Sequence, residues 1–214
     1  MKKAVELNHT TDSGWPLIQQ LIQTTSHNVT ALPTFSTVQA EKTLEALQVT
    51  TRSFLGAVAY HTGGIVIDYG WLRFLGSGTS KLVDAVKPNT TNGKFCTTDY
   101  MIVAYDVLGG IFALDGGGLG SERPGNACYF SPDGLEWEDL GLGYGNLLEA
   151  FIGGLGRDFY TGLRWANWEE DMQTLELDQA FAFYPFLSTS QGGVNDSQRA
   201  IVPVKELLGL PFTP

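Results

Sequence analysis

The sequence predicts an α+β fold, in which a single, mostly antiparallel sheet of about six or seven strands is flanked by N- and C-terminal helices. Apolar residues recur at helical spacing near both ends of the chain, whereas the middle alternates short β-branched and aromatic runs with glycine turns. No internal repeat or shift in composition marks a boundary. Residues 1–214 are therefore expected to form a single domain.

Two helices are predicted at the N-terminal end. The first covers roughly Trp15–Thr24, because Pro16 suits the first helical turn and leucine and isoleucine pairs follow at a spacing of four. The second begins after Ser36, which together with Gln39 has the form of a capping box, and it ends near Gln48.

The middle of the chain predicts the sheet. Phe54–Tyr60 and the β-branched run Ile65–Ile67 predict a hairpin, while Lys81–Val86 predicts a helical turn and the polar segment Pro88–Thr98 a surface loop. The other central strands are predicted over Trp71–Leu75, Tyr100–Tyr105, Ile111–Leu114, Ala127–Ser131 and Leu135–Leu140.

The C-terminal third predicts two more helices and one late strand. Leu148, Phe151 and Leu155 recur at helical spacing, and a second apolar stripe runs over Trp165–Leu175. The aromatic run Phe181–Leu187 is compatible with a strand.

The charge of the chain limits its partners. Lys and Arg number 13 against 23 Asp and Glu, which gives a net charge of −10. Phosphate backbones are bound by cationic proteins, so nucleic acid is not an expected partner. A membrane is not an expected partner either, because no apolar stretch is long enough to span one. A basic protein partner is compatible with this acidity.

The cysteines and the apolar segments bear on the compartment. Cys96 and Cys128 have no spacing typical of a disulfide scaffold or a zinc site, so no metal or cofactor is expected and a reducing compartment fits best. No apolar stretch is long enough to span a bilayer, and the N-terminus lacks a signal-peptide core. A cytoplasmic location is therefore expected.

A glycine-rich loop offers one candidate ligand site. Consecutive amides of Asp115, Gly116, Gly117 and Gly118 resemble a phosphate cradle. However, the dinucleotide fingerprint would need a glycine where Ser121 stands, and no helix is predicted after the loop. A loop that only links two strands is the competing interpretation.

An acidic strand offers a candidate partner-binding surface. Glu136, Trp137, Glu138 and Asp139 lie in a segment whose alternation favours a strand with one wet face. Their spacing does not resemble a calcium loop. The segment is either a solvated face or an acidic contact surface for a protein partner.

Nucleophilic catalysis has candidates but no signature. Ser77 lacks the elbow motif of serine hydrolases, and the two cysteines have no neighbouring histidine in sequence. We therefore expect no catalytic residue among these side chains, which are Ser77, Cys96, Cys128, His9, His27 and His61.

The few arginines have two kinds of interpretation. Arg52 and Arg73 are isolated cations, and each is expected to pair with a carboxylate. Arg164, with Trp165 and Trp168, has the composition of a recognition hot spot, although the same spacing favours tryptophans that pack a helix onto the sheet.

Nine segments carry a resemblance to a known family: Ser13–Ile18, Thr50–Ser53, Thr62–Ile65, Gly70–Arg73, Leu75–Gly78, Phe112–Gly118, Leu135–Glu138, Gly162–Trp165 and Phe183–Leu187. Together they resemble the bacterial family called domain of unknown function 2625. That family implies no activity.

A second, more distant resemblance covers Gly110 through Phe151. A strand that ends in a glycine-rich turn, a strand with Tyr129 and Phe130, a strand with Trp137 and an amphipathic helix resemble the SUKH superfamily. This resemblance implies a sheet flanked by helices, and members that act as immunity proteins against bacterial toxins or as regulatory interaction modules. It implies no catalytic residues.

These observations lead to three functional hypotheses. The first is a cytoplasmic, non-enzymatic protein-binding module, immunity-like or regulatory, which binds a basic partner such as a toxin domain through Glu136, Glu138 and Asp139. The second is a small-ligand binder or enzyme with its site at residues 115–120, to which the sheet would bring Arg52, Asp68 or Arg73. The third is an assembly role with homo-oligomerisation through exposed aromatic residues.

Overall fold

The computed structural model describes residues 1–91 and 94–208. Its helices are α1 (Ala4–Leu7), α2 (Trp15–Thr24), α3 (Thr37–Leu47), α4 (Phe54–His61), α5 (Tyr144–Ile152), α6 (Gly156–Phe159), α7 (Trp168–Thr174) and α8 (Val204–Leu208), with a 3-10 helix over Lys87–Asn89. Its strands are β1 (Val29–Leu32), β2 (Gly64–Ile67), β3 (Leu72–Leu75), β4 (Thr90–Thr91), β5 (Lys94–Phe95), β6 (Tyr100–Asp106), β7 (Ile111–Asp115), β8 (Asn126–Phe130), β9 (Trp137–Gly143), β10 (Gln179–Tyr184) and β11 (Gln198–Pro203).

The main sheet is antiparallel. Within the described residues it has seven strands in the order β1-β2-β3-β6-β7-β8-β9, and β10 with β11 and β4 with β5 form two-stranded ribbons. Helices lie before and after these strands in the chain. The predicted α+β class, with its antiparallel sheet and its helices at both ends, is confirmed.

The two faces of the sheet pack into different apolar clusters. Phe74 and Phe112 belong to one cluster with Phe151 of α5. Tyr105 of β6 belongs to the other with Ala180 of β10. Side chains alternate between the faces of a strand, so β6 and β7 contribute to both clusters and are buried on both sides.

The N-terminal helices form largely as predicted. Helix α2 has the predicted bounds, with Pro16 in its first turn. In α3, Ser36 accepts a hydrogen bond from the backbone N–H of Gln39 at 3.2 Å, which confirms the cap. The side chain of Gln39 does not complete the capping box, because it donates to Asp84 instead.

The segment Phe54–Tyr60 is helical, so its prediction as a strand was wrong. The Ser53 hydroxyl accepts from the N–H of Gly56 and caps α4 at its start. A side chain at Gly56 would collide with the carbonyl oxygen of Thr50, 2.1 Å from an added Cβ. Ala57 and the residues around it are buried, and a helix buried all round shows no amphipathic period.

The observed hairpin joins β2 to β3 through a tight turn. The N–H of Gly70 donates to the carbonyl of Ile67 at 3.2 Å. Between them, Asp68 and Tyr69 both adopt the left-handed conformation, with φ of 53° and 60°. Type I′ turns have this geometry, and they usually carry Asn-Gly there.

The segment before β6 is more ordered than predicted. Lys81–Val86 contains no helix, because Asp84 instead accepts from the N–H groups of Val86 and Lys87 and leads the chain into the 3-10 helix. Within Pro88–Thr98, Asn89 is buried and bonds both backbone groups of Ile102. Part of that predicted loop, residues 92–93, lies outside the described residues.

At the C-terminal end, a helix and a late strand form where they were expected, but α5 ends at Ile152 and β10 ends at Tyr184. Helix α7 begins at Trp168 rather than at Trp165. Strand β10 pairs with β11, which was not predicted. In the described ranges, no helix has both the length and the apolar character needed to cross a bilayer.

Candidate functional site

The acidic segment lies on the edge strand of the main sheet. Strand β9 has β8 on one side and ends the sheet on the other. Glu136 and Glu138 are exposed, as their alternation predicts. Trp137 is partly buried, since its ring packs against those of Phe130 and Tyr100 with centroids 5.4 and 5.8 Å apart. The two glutamates therefore present exposed negative charge, whereas Trp137 anchors the strand.

Asp139 differs from the neighbouring glutamates. Its carboxylate accepts hydrogen bonds from the backbone N–H groups of Gly141 and Glu122 and from the side-chain amide of Asn126, at 2.8 to 3.1 Å. These bonds, the one from Gly141 foremost, hold the pKa of Asp139 below its usual value. Asp139 therefore ties β9 to the preceding loop in addition to adding negative charge.

An apolar groove of about 240 Å³ lies beside this acidic segment. Phe130 at the end of β8 and Leu135 in the β8–β9 connection line it together with Phe183, Phe186 and residues near them. Leu135 is 56% and Phe186 65% exposed. Exposed apolar residues grouped in this way are typical of protein contact surfaces.

The groove was not predicted from the sequence, because the predictions for two of its segments were wrong. Leu135 was predicted as an inward residue of a strand, but it lies before β9 in the left-handed conformation, with φ of 56°. The run Phe181–Leu187 was predicted as one strand, but β10 ends at Tyr184, and Pro185 lacks the N–H that pairing needs. That proline is the signal that could have identified the exposed Phe186.

The glycine-rich loop wraps around its own carboxylate. Asp115 accepts from the N–H groups of Gly117 and Leu119 at 2.6 and 3.0 Å, and from the N–H and hydroxyl of Ser121 at 3.0 and 2.6 Å. These donors, with the Ser121 hydroxyl foremost, hold the pKa of Asp115 well below its ordinary value. This is the loop whose sequence resembles a phosphate cradle. Its backbone amides already bind an anion from the same chain, the Asp115 carboxylate, through Gly117, Leu119 and Ser121.

We expect Asp115→Ala to lower the melting temperature by several degrees, because three backbone N–H groups lose their acceptor. The folded-state pKa is depressed, so this contribution is present above the unfolded pKa of about 3.9 and is lost as the pH falls through the folded value. Thermal unfolding between neutral and acid pH measures it. The difference from wild type should shrink on acidification, and Glu41→Gln, at an exposed position, is the control. A pH-independent difference would contradict this account.

The sheet separates Arg73 from the glycine-rich loop. Asp115 lies opposite Tyr100 at one end of β6, and Arg73 lies opposite Tyr105 near the other. Five residues of strand span about 17 Å. Asp68 lies in the β2–β3 turn, beyond the same end as Arg73. The sheet therefore does not assemble Asp68, Arg73 and Asp115 into one site.

Arg73 forms no ion pair with a carboxylate in the part of the chain that the structure describes, so its predicted partner was wrong. The side chain is fully buried, and its Nε donates to the carbonyl of Gly70 at 2.8 Å. Its Nη1 donates to the carbonyls of Leu177 and Gln179 at 2.9 and 2.7 Å. The guanidinium also lies 5.6 Å from the ring centre of Tyr105. Backbone acceptors and an aromatic face take the place of the expected ion pair.

Arg52 and Asp68, the other two residues expected near the glycine-rich loop, each form an ion pair elsewhere. Arg52 pairs with Asp12, with Nε and Oδ2 2.5 Å apart, and both side chains are about half exposed. This confirms the predicted carboxylate partner of Arg52. Asp68 pairs with Arg164, which is 96 residues away in sequence. Neither ion pair involves the glycine-rich loop.

Among the described residues, no hydrogen bond joins a candidate nucleophile to a candidate base. The Ser77 hydroxyl is buried and donates to the carbonyl of Thr62 at 2.8 Å. His61 stacks on Trp15 with ring centroids 5.4 Å apart. Cys128 is buried in β8, and burial raises the pKa of its thiol to about 11. Within residues 1–91 and 94–208, no three His, Cys, Asp or Glu side chains form a group that could hold a metal ion.

The arrangement is thus that of an α+β protein with an apolar and acidic surface beside a sheet edge. The model of the family described as "Protein of unknown function DUF2625" matches residues 4–207, and the chain belongs to this family. A "Putative uncharacterized protein YbfG" of Escherichia coli K12 is 41% identical over 187 residues, which cover 87% of this chain and 86% of that protein. An "Uncharacterized protein" of Haemophilus influenzae is 36% identical over 192 residues, which cover 88% and 83%.

Proposed function

We propose that the protein is a non-enzymatic protein-binding module, immunity-like or regulatory in role, which binds a basic protein partner such as a toxin domain. The observation that carries this proposal is the apolar groove with Leu135 and Phe186 exposed, which Leu135 joins in the chain to the exposed, charged segment that begins at Glu136. Apolar anchors with a charged rim are the usual anatomy of a protein interface.

The charges indicate the chemistry of the partner. Glu136 directly follows the groove residue Leu135, and the whole chain carries a net charge of −10. A basic surface would be drawn towards this edge by electrostatic steering. Burial of its apolar side chains in the groove would then stabilise the complex. The partner that fits best is therefore a protein with exposed Lys or Arg around an apolar residue.

Two further features support the proposal. The strand with Tyr129 and Phe130, the strand with Trp137 and the helix α5 follow one another as the resemblance to the SUKH superfamily implies. Cys96 and Cys128 are both free thiols, which is usual in a reducing compartment. We therefore place the protein in the cytoplasm as part of the same proposal.

The alternative of a small ligand at residues 115–120 has a specific requirement. The ligand would have to compete with the Asp115 carboxylate for the amides of Gly117, Leu119 and Ser121. The groove has no such internal competitor among its described lining residues. This difference favours the protein-binding function.

We expect the double variant Glu136→Lys/Glu138→Lys to weaken the complex roughly tenfold at low salt, since two attractive rim charges become repulsive. The tagged full-length chain is used to isolate a stoichiometric partner from its native host, and the affinity of the purified pair is then measured by calorimetry. The effect should decrease as salt is added, because exposed charges are screened.

The matched control carries the same change in net charge elsewhere. Glu41 on α3 and Glu170 on α7 are exposed, so Glu41→Lys/Glu170→Lys should leave the affinity close to wild type. A third variant, Leu135→Asp, tests the groove itself and should also weaken the complex. Equal affinities for all variants would overturn the proposal, as would a retained small molecule in place of any protein.

A further inference from the structure

A second cleft, separate from the groove, lies at the turn between β2 and β3. It has a volume of about 180 Å³ and shares no lining residue with the apolar groove. Its polar character comes from the side chains of three separate parts of the chain, around residues 27, 68 and 164. The lining residues that matter most are His27, Asn28, Asp68, Arg157, Arg164 and Trp168.

Arg164 is held in a fixed orientation in this cleft. Its Nη2 donates to Oδ2 of Asp68. Its guanidinium carbon lies 4.1 Å from the ring centre of Trp168, and 5.0 and 5.3 Å from those of Trp71 and Tyr160. Aromatic faces and a carboxylate therefore immobilise the planar group before any ligand arrives.

Arg164 also retains unused hydrogen-bonding capacity. Its Nε is buried and has no hydrogen-bond partner within residues 1–91 and 94–208. A buried donor without an acceptor is unfavourable and rare in folded proteins. An acceptor would relieve this cost only by reaching Nε itself, an atom that is closed to solvent in this conformation.

The turn beside Arg164 has the backbone of a type I′ turn but departs from its usual composition of Asn-Gly. Asp68 and Tyr69 both have positive φ, although neither is glycine. Asn28 holds this conformation, because its carbonyl accepts from the N–H of Asp68 at 2.7 Å and its Oδ1 accepts from the N–H of Tyr69 at 2.9 Å. Strain of this kind is concentrated at ligand-binding and catalytic sites.

The rest of the cleft adds the donors of Arg157 and His27 and one further carboxylate, because the exposed Glu169 also lines it. Arg157 is exposed, so its guanidinium is available at the mouth. His27 packs directly on the backbone of Gly154, where an added Cβ would lie 2.2 Å from Nε2, so glycine is required there. Two of the 13 Lys and Arg of the chain, Arg157 and Arg164, line this small cleft, together with two carboxylates, Asp68 and Glu169.

We propose that this cleft binds a small ligand through an oxyanion group, a carboxylate or a phosphate, with Arg157 and His27 as direct contacts and Arg164 as a preorganised donor. The planar fork of an arginine matches two oxygens of either group, which makes such pairs short and directional. The volume of the cleft corresponds to about six water molecules, which is enough for one such group.

The test is calorimetric titration of the full-length chain with inorganic phosphate and, separately, with sodium acetate, both at constant ionic strength. Wild type should bind one of them saturably at one site, and the tighter of the two identifies the class of oxyanion. We expect Arg157→Gln and His27→Gln each to weaken that binding about tenfold, the loss typical of one charged hydrogen bond.

The matched control is Arg123→Gln, which removes an exposed arginine from the loop before β8. It should bind like wild type, so that an effect of net charge alone is ruled out. Neither Arg157 nor His27 belongs to the buried core, and circular dichroism should show all variants folded. The absence of saturable binding, or equal binding by Arg157→Gln and Arg123→Gln, would overturn the proposal.

Discussion

Replacing Asp106 with alanine is expected to lower the free energy of unfolding by about 3–5 kcal/mol, because four donors lose an acceptor that water replaces only in part. The carboxylate is fully buried. It accepts from the N–H groups of Leu108 and Gly110 at 2.9 and 2.8 Å, and from the hydroxyls of Tyr129 and Tyr160 at 2.8 and 3.2 Å. Urea unfolding monitored by tryptophan fluorescence measures the change.

The variant Asp106→Asn separates the charge of this carboxyl from its shape. Burial raises the pKa of Asp106 above its ordinary value. The folded state therefore binds the proton more tightly than the unfolded state, and the stability this confers is present at low pH and lost as the pH rises through the folded-state pKa. Asparagine does not ionise, so the stability of Asp106→Asn relative to wild type should rise with pH.

The pH series also distinguishes this account from a purely steric one. Burial also raises the pKa values of Tyr129 and Tyr160, so both hydroxyls keep their protons and continue to donate across the neutral range. Tyr129→Phe removes one donor and is the matched control for the network. A constant difference between Asp106→Asn and wild type across the pH range would mean that the ionisation of Asp106 does not contribute to stability.

The parts of the fold that could be predicted depend on local chemistry. Pro16 begins a helix, and Ser36 caps the next one with its own hydroxyl, as local rules require. Gly109 adopts φ of 95° in the turn between β6 and β7, which is a conformation that glycine favours. Each of these outcomes is decided by residues within a few positions of one another, so a single sequence contains the information.

The parts that could not be predicted depend on tertiary burial. Phe54–Tyr60 is a short apolar run whose burial hides the helical period, so strand and helix were equally compatible with it. Val29–Leu32 is only four residues long, too short to be recognised by its own pattern, yet it pairs with β2 at the edge of the sheet. In both cases the surroundings of the segment, rather than its own composition, determine its conformation.

The same distinction applies to the candidate site. The exposure of Glu136 and Glu138 follows from the alternation of side chains along a strand, and it was predictable. The groove was not, because Leu135 and Phe186 come from loops that are 51 residues apart in sequence and meet only in the folded chain. Asp115 was predicted to lie beside an anion site, but its own carboxylate accepts from the amides of Gly117 and Leu119. The path of the folded loop brings these groups together.

Replacing Arg73 with alanine is expected to lower the free energy of unfolding by about 3 kcal/mol, because three backbone carbonyls lose their donor and a large side chain leaves a cavity. The guanidinium joins β3 to the segment that enters β10, through the carbonyls of Leu177 and Gln179. Arg73→Lys keeps the charge, but a single ammonium does not reproduce the fork that reaches both carbonyls and Gly70. Lysine should therefore recover only part of the loss.

Hydrogen exchange locates the effect within the fold. If Arg73 anchors the β10–β11 ribbon to the main sheet, the amides of Gln179–Tyr184 should exchange faster in Arg73→Ala than those of Tyr100–Asp106, because local opening precedes global unfolding. Arg73→Met fills the volume without any donor, and it separates packing from hydrogen bonding. Should Arg73→Met match wild type in both stability and exchange, the buried guanidinium would not be the link between the two sheets, and the apolar contacts of Phe181 with Trp165 would have to hold the ribbon instead.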